Sequence, residues 1–192
     1  MYKRQVLDDA RDQHEFAAGH VKGSINVPWD GRMAETVGSV LTPEQKVVII
    51  APEGQEQEIA TRFARIGFDN VLGYVADPEA YLLAHEDDVE HASRLTSTQV
   101  QAAIESDDVQ IVDIRGAGEL EGGMLPDARH IPLAELARRS DELDPSKPVV
   151  LYCAGGWRSS VGASLLRSQG FDDVSDIMGG YGAWALVHAV AS

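Results

Sequence analysis

The chain repeats itself, and the repeat restricts its fold more than any other feature. LDDARDQHEFAAGHVKGSINVP (7–28) returns as IVDIRGAGELEGGMLPDARHIP (111–132) at an offset of 104, aligning Asp9 with Asp113, Arg11 with Arg115, Glu15 with Glu119, Gly19 with Gly123 and Pro28 with Pro132. LTPEQKVVII (41–50) returns as LDPSKPVVLY (143–152) at 102, and GFDNV (67–71) as GFDDV (170–174) at 103. Shared anchors separated by small changes of offset are what loop insertions and deletions leave behind. Coincidental apolar patterning would not also match Gly-Phe-Asp and two prolines. Whatever one half folds into, the other must approximate, so two domains are expected, at 6–88 and 95–187.

Within each half, short β-branched runs alternate with helical stretches. QIVDIR and PVVLYC are too continuously apolar to be half-exposed and predict buried parallel strands. SSVGASLLRSQGF predicts a helix with Ser159 or Ser160 near its cap and Gly170 closing it. DVSDIM predicts a further strand, ended by Gly179 and Gly180. Parallel strands joined by helices give an α/β class: two domains, each a mainly parallel sheet flanked by helices. Between them AHEDDVEHAS (84–93) is polar and acidic and reads as a linker. TSTQVQAAI then opens a helix, with Thr96 and Gln99 at capping-box spacing.

The first five residues, MYKRQ, resemble a translated sequencing adapter and are set aside from fold reasoning. VLDDAR follows at once as a strand. The first half therefore lacks the strand and helix that LTSTQVQAAIESDD supplies before QIVDIR in the second. Its sheet is expected to miss an edge element and to leave apolar surface exposed, and the parent chain to continue upstream.

One cysteine in 192 residues excludes an intramolecular disulfide and fits a reducing, cytoplasmic setting. A formal net charge of −15 argues against nucleic acid, whose phosphates it would repel. No run of apolar residues is long enough to span a membrane, and no secretory signal is visible. His14, His20, His85, His91, His130 and His188 are scattered without metal-ligand spacing, so neither a metal nor a cofactor is expected. The acidic runs at 86–90 and 105–108 read as solvated faces.

The cysteine itself stands in VVLYCAGGWRSS (149–160), where an apolar strand gives way to a helix. Cys153 to Arg158 are expected to form the turn. Adjacent Gly155 and Gly156 permit a backbone that turns N–H groups inward into an anion-binding concavity. The following helix N-terminus adds partial positive charge. Such a setting favours the thiolate, with Arg158 the one nearby cation and no histidine close in sequence. Ala154, Gly155, Gly156, Trp157, Arg158 and Ser159 are the candidate substrate-binding residues around Cys153, the catalytic candidate. Trp157 is expected at the pocket mouth. Asp113 and Arg115, at the end of a predicted strand, are expected to brace the loop.

Together the cysteine loop, the VDIR strand and the terminal GGYGAW make residues 95–185 resemble a rhodanese homology domain. The whole chain resembles the tandem rhodanese module of bacteria, often fused behind a metallo-β-lactamase-like hydrolase or persulfide dioxygenase domain. The resemblance implies that Cys153 accepts a sulfane sulfur from thiosulfate or a low-molecular-weight persulfide. The resulting persulfide would pass its sulfur to a thiol or to cyanide. A second reading makes the module a sulfur carrier or regulatory part of a fused hydrolase, with little turnover of its own. Phosphatases built on a cysteine cradle place arginine six positions after cysteine, whereas Arg158 comes at five, a smaller ring suited to a sulfur atom.

The two halves depart from the family pattern in different ways. GHVKGSINVP in the first half becomes GMLPDARHIP in the second, with Met124 and Asp127 at the histidine and second-glycine positions. Ala51 stands where Cys153 does, in a loop (APEGQ) expected to be one residue shorter and followed by acids. Glu53 and Glu56 would repel an anion. The first domain is therefore expected to be N-terminally truncated and catalytically inactive.

Overall fold

The computed structural model describes residues 5–106 and 108–189. Four of the five residues set aside as foreign, and Asp107 of the second acidic run, lie outside them. The chain divides into two units between Ala92 and Ser93. No helix among the described residues is long and apolar enough to cross a membrane.

The first unit runs β1 (Val6–Asp9), α1 (Gln13–Ala18), β2 (His20–Val21), β3 (Ile25–Asn26), α2 (Met33–Val40), β4 (Val47–Ile50), α3 (Glu56–Arg65), β5 (Val71–Val75), α4 (Pro78–Ala84) and β6 (Val89–Glu90). Its sheet has the order β3-β1-β4-β5, all parallel. The second unit runs β7 (Ser93–Leu95), α5 (Ser97–Glu105), β8 (Gln110–Asp113), a 3₁₀ segment (Ala117–Gly122), β9 (Arg129–His130), α6 (Leu133–Arg139), β10 (Val149–Tyr152), α7 (Trp157–Ser168), β11 (Val174–Ile177) and α8 (Gly180–Ala189). Its sheet, β7-β11-β10-β8-β9, is also parallel throughout. Each unit is thus an α/β domain with a parallel sheet flanked by helices.

The repeat extends to strand register. Asp9 pairs with Ile50 across β1 and β4, and Asp113 with Tyr152 across β8 and β10, the same partners once the offsets are applied. Asp9 pairs with Asn26 as Asp113 does with His130. The register diverges at one place, a slip between Val47 and Val48 where β4 meets β5. There β5 is the sheet edge, since among the described residues nothing in the first unit corresponds to β7. Leu72 and Tyr74 on this edge strand are 51% and 56% exposed. In the second unit β7 covers that edge, and Val100 of α5 packs with Ile111, Val150, Tyr152 and Ile177 in one buried cluster. Thr96 accepts from Gln99 N–H, and the Gln99 side chain accepts from Thr96 N–H, closing the expected capping box.

The segment 84–93 is not a free linker. Val89 and Glu90 form β6, antiparallel to β2. Lys22 N–H donates to Asp88 O and Ala92 N–H to Ala17 O, both main-chain bonds that side-chain polarity does not report. A second correction concerns Asp127. At φ 55° it is the one non-glycine in the left-handed region among the described residues, and its counterpart Gly23 has φ 74°. The turn kept its conformation when the glycine was lost, which an aspartate tolerates better than most side chains.

Asp8 stands out among the buried polar residues of the first unit. It is fully buried in β1, neither carboxyl oxygen has a hydrogen-bond partner, and its counterpart in the second unit is the buried Val112. Burial, and secondarily the charge of Asp9, pushes its carboxyl well above the usual carboxylate range. The folded chain therefore holds a proton that the unfolded chain releases near pH 4. The first unit should be most stable below that pH and lose stability as the pH rises through the raised value. Asp8→Val is expected to stabilise the first unit by about 1–3 kcal/mol at neutral pH and to flatten its stability across pH 5–8 relative to wild type. Hydrogen exchange of the β1 and β4 amides would measure this; no gain at neutral pH would refute it.

Candidate active site

β10 lies in the middle of the five-stranded sheet, and Cys153 follows its last residue at the carboxyl edge, flanked by β8 and β11. Such edges are where open α/β sheets hold ligands. The thiol is buried, 1% exposed. Its Sγ accepts the N–H of Gly156 at 3.1 Å and lies 3.7 Å from Ser159 Oγ.

The loop is aimed by what happens to its carbonyls. Cys153 O accepts from Tyr181 N–H at 2.7 Å and Ala154 O from Gly182 N–H at 3.0 Å. Gly156 O accepts from the guanidinium of Arg94 at 3.1 Å. The first two donors come from the opening turn of α8, where N–H groups have no partner within the helix. Close approach makes this contact feasible: a Cβ on Gly180 would collide with Cys153 O, and one on Gly156 would come within 2.8 Å of Gly179 N. With three carbonyls tied outward, an N–H remains for the sulfur.

The two adjacent glycines do different things. Gly156 has φ 88° and caps α7, whereas Gly155 is exposed in open space and is absent from the left-handed set. Because that cap is left-handed, α7 starts at Trp157, and Ser159 and Ser160 lie inside its first turn rather than at its cap. The turn is therefore Cys153–Gly156, and Arg158 belongs to the helix. Ala154 and Gly155 form the exposed rim, and Trp157 is half-buried at the first helical position.

Three residues that sequence reasoning passed over complete the surroundings. Ser159 Oγ donates to Asp176 at 3.2 Å, and Arg94 donates to both oxygens of Asp176 at 3.0 and 2.9 Å. A hydroxyl has one hydrogen, and with it given to Asp176, Ser159 turns a lone pair to the Cys153 thiol. Arg158 is also committed. Its guanidinium grips both oxygens of Glu119 at 2.7 Å each, and those bonds hold the Glu119 carboxyl down at about 2. Asp113 and Arg115 pair with each other at 2.6 Å, both buried. Arg115 donates to Glu119 O and Gly123 O, and lies 4.2 Å over the Tyr181 ring. Their side chains thus brace the 3₁₀ segment carrying Glu119, not the cysteine loop itself. Asp176 had a signal, as the one acid inside the apolar strand run 174–177. Arg94 had none, its partner being 82 residues away.

A family model for the rhodanese-like domain matches residues 2–79 and again 96–186, beginning within the stretch set aside as foreign. The chain belongs to the rhodanese-like family. It is 40% identical over 75 residues to the uncharacterized protein YqhL of Bacillus subtilis, covering 39% of this chain and 60% of that one. It is 38% identical over 85 residues to a sulfurtransferase of Allochromatium vinosum, covering 44% of this chain and 79% of the relative. It is 35% identical over 81 residues to thiosulfate sulfurtransferase GlpE of Coxiella burnetii, covering 42% and 76%.

The first rhodanese-like domain keeps the scaffold and lacks the site. Asp9 pairs with Arg11 at 2.6 Å, and Arg11 donates to Gly19 O at 2.9 Å, repeating the Asp113–Arg115–Gly123 arrangement. Ala51 replaces the thiol. Pro78 aligns with Tyr181 and has no N–H to hold the loop carbonyl. The cleft beside Ala51, about 310 Å³, is lined by Glu15, Glu53, Asp77 and Glu79, with Arg11 the one cation. Glu56 instead accepts from Gly54 N–H at 3.2 Å. The connection is not shorter: residues 51–55 separate β4 from α3, against 153–156 in the second domain. The missing length lies in α3, which has 10 residues to the 12 of α7.

Gly156→Ala should therefore cost about 1–3 kcal/mol, through its left-handed φ and the contact with Gly179, whereas Gly155→Ala should change stability by under about 0.5 kcal/mol. Urea unfolding of the two variants would test this. Equal effects would mean that both glycines shape the loop.

Proposed function

We propose that the second rhodanese-like domain is a sulfurtransferase carrying sulfane sulfur on Cys153 as a persulfide. The observation that supports this best is the Gly156 N–H held 3.1 Å from Sγ by a loop whose carbonyls are tied back. A fixed N–H dipole in a buried site stabilises a sulfur anion without carrying a formal charge. The relatives named as sulfurtransferases favour the same reading. The spacing from Cys153 to Arg158, and the commitment of Arg158 to Glu119, weigh against phosphoryl transfer.

In the first step the Cys153 thiolate attacks the outer sulfur of the donor. A new S–S bond forms, the donor's S–S bond breaks, and its electron pair leaves with sulfite or a thiolate. In the second, an acceptor thiolate or cyanide attacks the outer sulfur of the persulfide and Cys153 leaves as thiolate. Charge and electrons balance in both, and no step is routed through a metal or cofactor. For the first domain, with Ala51 at the nucleophile position, we propose a structural role.

The test is sulfur loading and turnover of wild type beside Cys153→Ser. Wild type should gain the mass of one sulfur after incubation with donor alone and form thiocyanate when cyanide is added. The serine variant should do neither. Loading without turnover would favour the sulfur-carrier reading, and absence of loading would overturn both.

A further inference from the structure

We infer that Glu119 selects the sulfur donor: by occupying Arg158 it directs the site away from dianions such as thiosulfate and toward persulfides of small thiols. The inference rests on the sulfurtransferase reading above.

Both donors present a sulfane sulfur, and both need the same N–H at Gly156. They differ in what accompanies that sulfur. Thiosulfate brings a sulfonate, whose charge must sit beside the Cys153 thiolate and calls for a cation. A persulfide of an uncharged small thiol carries its one charge on the sulfur being transferred, and the rest of the molecule requires no cation.

The cations around the loop are already taken. Arg94 is bound to Asp176, with side chains 7% and 1% exposed. Arg115 is bound to Asp113, with side chains 3% and 0% exposed. Arg158 alone lies near the surface, 28% exposed; both its hydrogen bonds at 2.7 Å go to Glu119, itself 38% exposed and further fixed by Gly116 N–H at 3.0 Å, while the guanidinium also faces the Cys153 thiol. A bidentate carboxylate satisfies the guanidinium fork in the geometry an oxyanion would use. A sulfonate must therefore displace Glu119 and leave that carboxylate unpaired beside a second anion. The chain's net charge of −15 offers no compensating field.

The experiment compares kcat/KM for thiosulfate and for the persulfide of 2-mercaptoethanol, an uncharged thiol, with one common acceptor, in wild type, Glu119→Gln, Arg158→Gln and the double variant. Glutamine keeps an oxygen to accept from Gly116 N–H. Wild type should favour the persulfide by at least about tenfold, and Glu119→Gln should move the ratio toward thiosulfate by about tenfold or more. That gain should vanish when Arg158 is glutamine, since it depends on the freed guanidinium. A second measurement needs no variant. Between about 0.01 and 0.15 M salt, thiosulfate kcat/KM should rise, as screened repulsion requires, and it should fall if Arg158 is attracting the dianion. A wild type preferring thiosulfate, a ratio moving less than about threefold in Glu119→Gln, or a rate falling with salt would overturn the inference while leaving sulfur transfer intact. Failure of both donors to load Cys153 would overturn the sulfurtransferase reading and this inference with it.

Discussion

The chemistry at Cys153 depends on three carbonyls being held out of the way. A turn at a sheet edge must satisfy its buried main-chain polar groups, and its oxygens would otherwise compete for the space around the sulfur. Cys153 O and Ala154 O go to the first N–H groups of α8, and Gly156 O goes to Arg94. The helix end and the loop each supply what the other lacks. Gly179 and Gly180, at φ 73° and 56°, serve this contact by bringing the helix start against the loop.

The duplication separates scaffold from site. Both domains keep an aspartate–arginine pair at the end of the strand beside the central one, the arginine reaching over to the Gly19 or Gly123 carbonyl. Both keep the register of the inner strands. Around the loop they differ in the groups that face it. Alanine stands for cysteine, proline for the tyrosine whose N–H holds the loop, and Tyr74, across from Ile49 as Asp176 is from Leu151, for the aspartate on the neighbouring strand. Loss of the thiol relaxes the demand on all the others, since an alanine methyl group requires no donor. The first domain's cleft has drifted toward carboxylates that a sulfur donor would meet as repulsion.

Much of the fold was legible because its signals are local. Strand runs, the Thr96–Gln99 capping box and the closing Gly170 are read within a few residues, and the repeat supplied the domain count. Cys153 was legible because it is the single thiol, placed at a strand end before glycines. Most of the expectations that required correction turn on long-range partners. Val89 and Glu90 look like linker until β2 is placed beside them. Arg158 looks like a free cation until the 3₁₀ segment brings Glu119, 39 residues away, onto it. Ser159 meets the sulfur with a lone pair because Asp176 takes its one hydrogen. Even the start of α7 depends on Gly156 packing against β11 and α8, which no neighbour in sequence reports.

On the sulfurtransferase reading proposed above, this arrangement would let so acidic a chain hold a sulfur anion. A lysine or a free arginine at the sulfur would be an obvious solution, yet such a cation, partly exposed on a chain of charge −15, attracts the protein's own carboxylates first. Arg94, Arg115 and Arg158 all show that outcome. A main-chain N–H is immune to it, because it has a dipole and no net charge to neutralise. Once the loop carbonyls are tied back, the dipole at Gly156 has the sulfur as its partner, and burial keeps water from weakening it. The paired arginines then act through geometry: Arg94 fixes Gly156, Arg115 fixes the segment carrying Glu119, and Arg158 meets Glu119 at the entrance. In this site charge is used chiefly to build the cradle, and a main-chain dipole, with Arg158 close by, faces the sulfur.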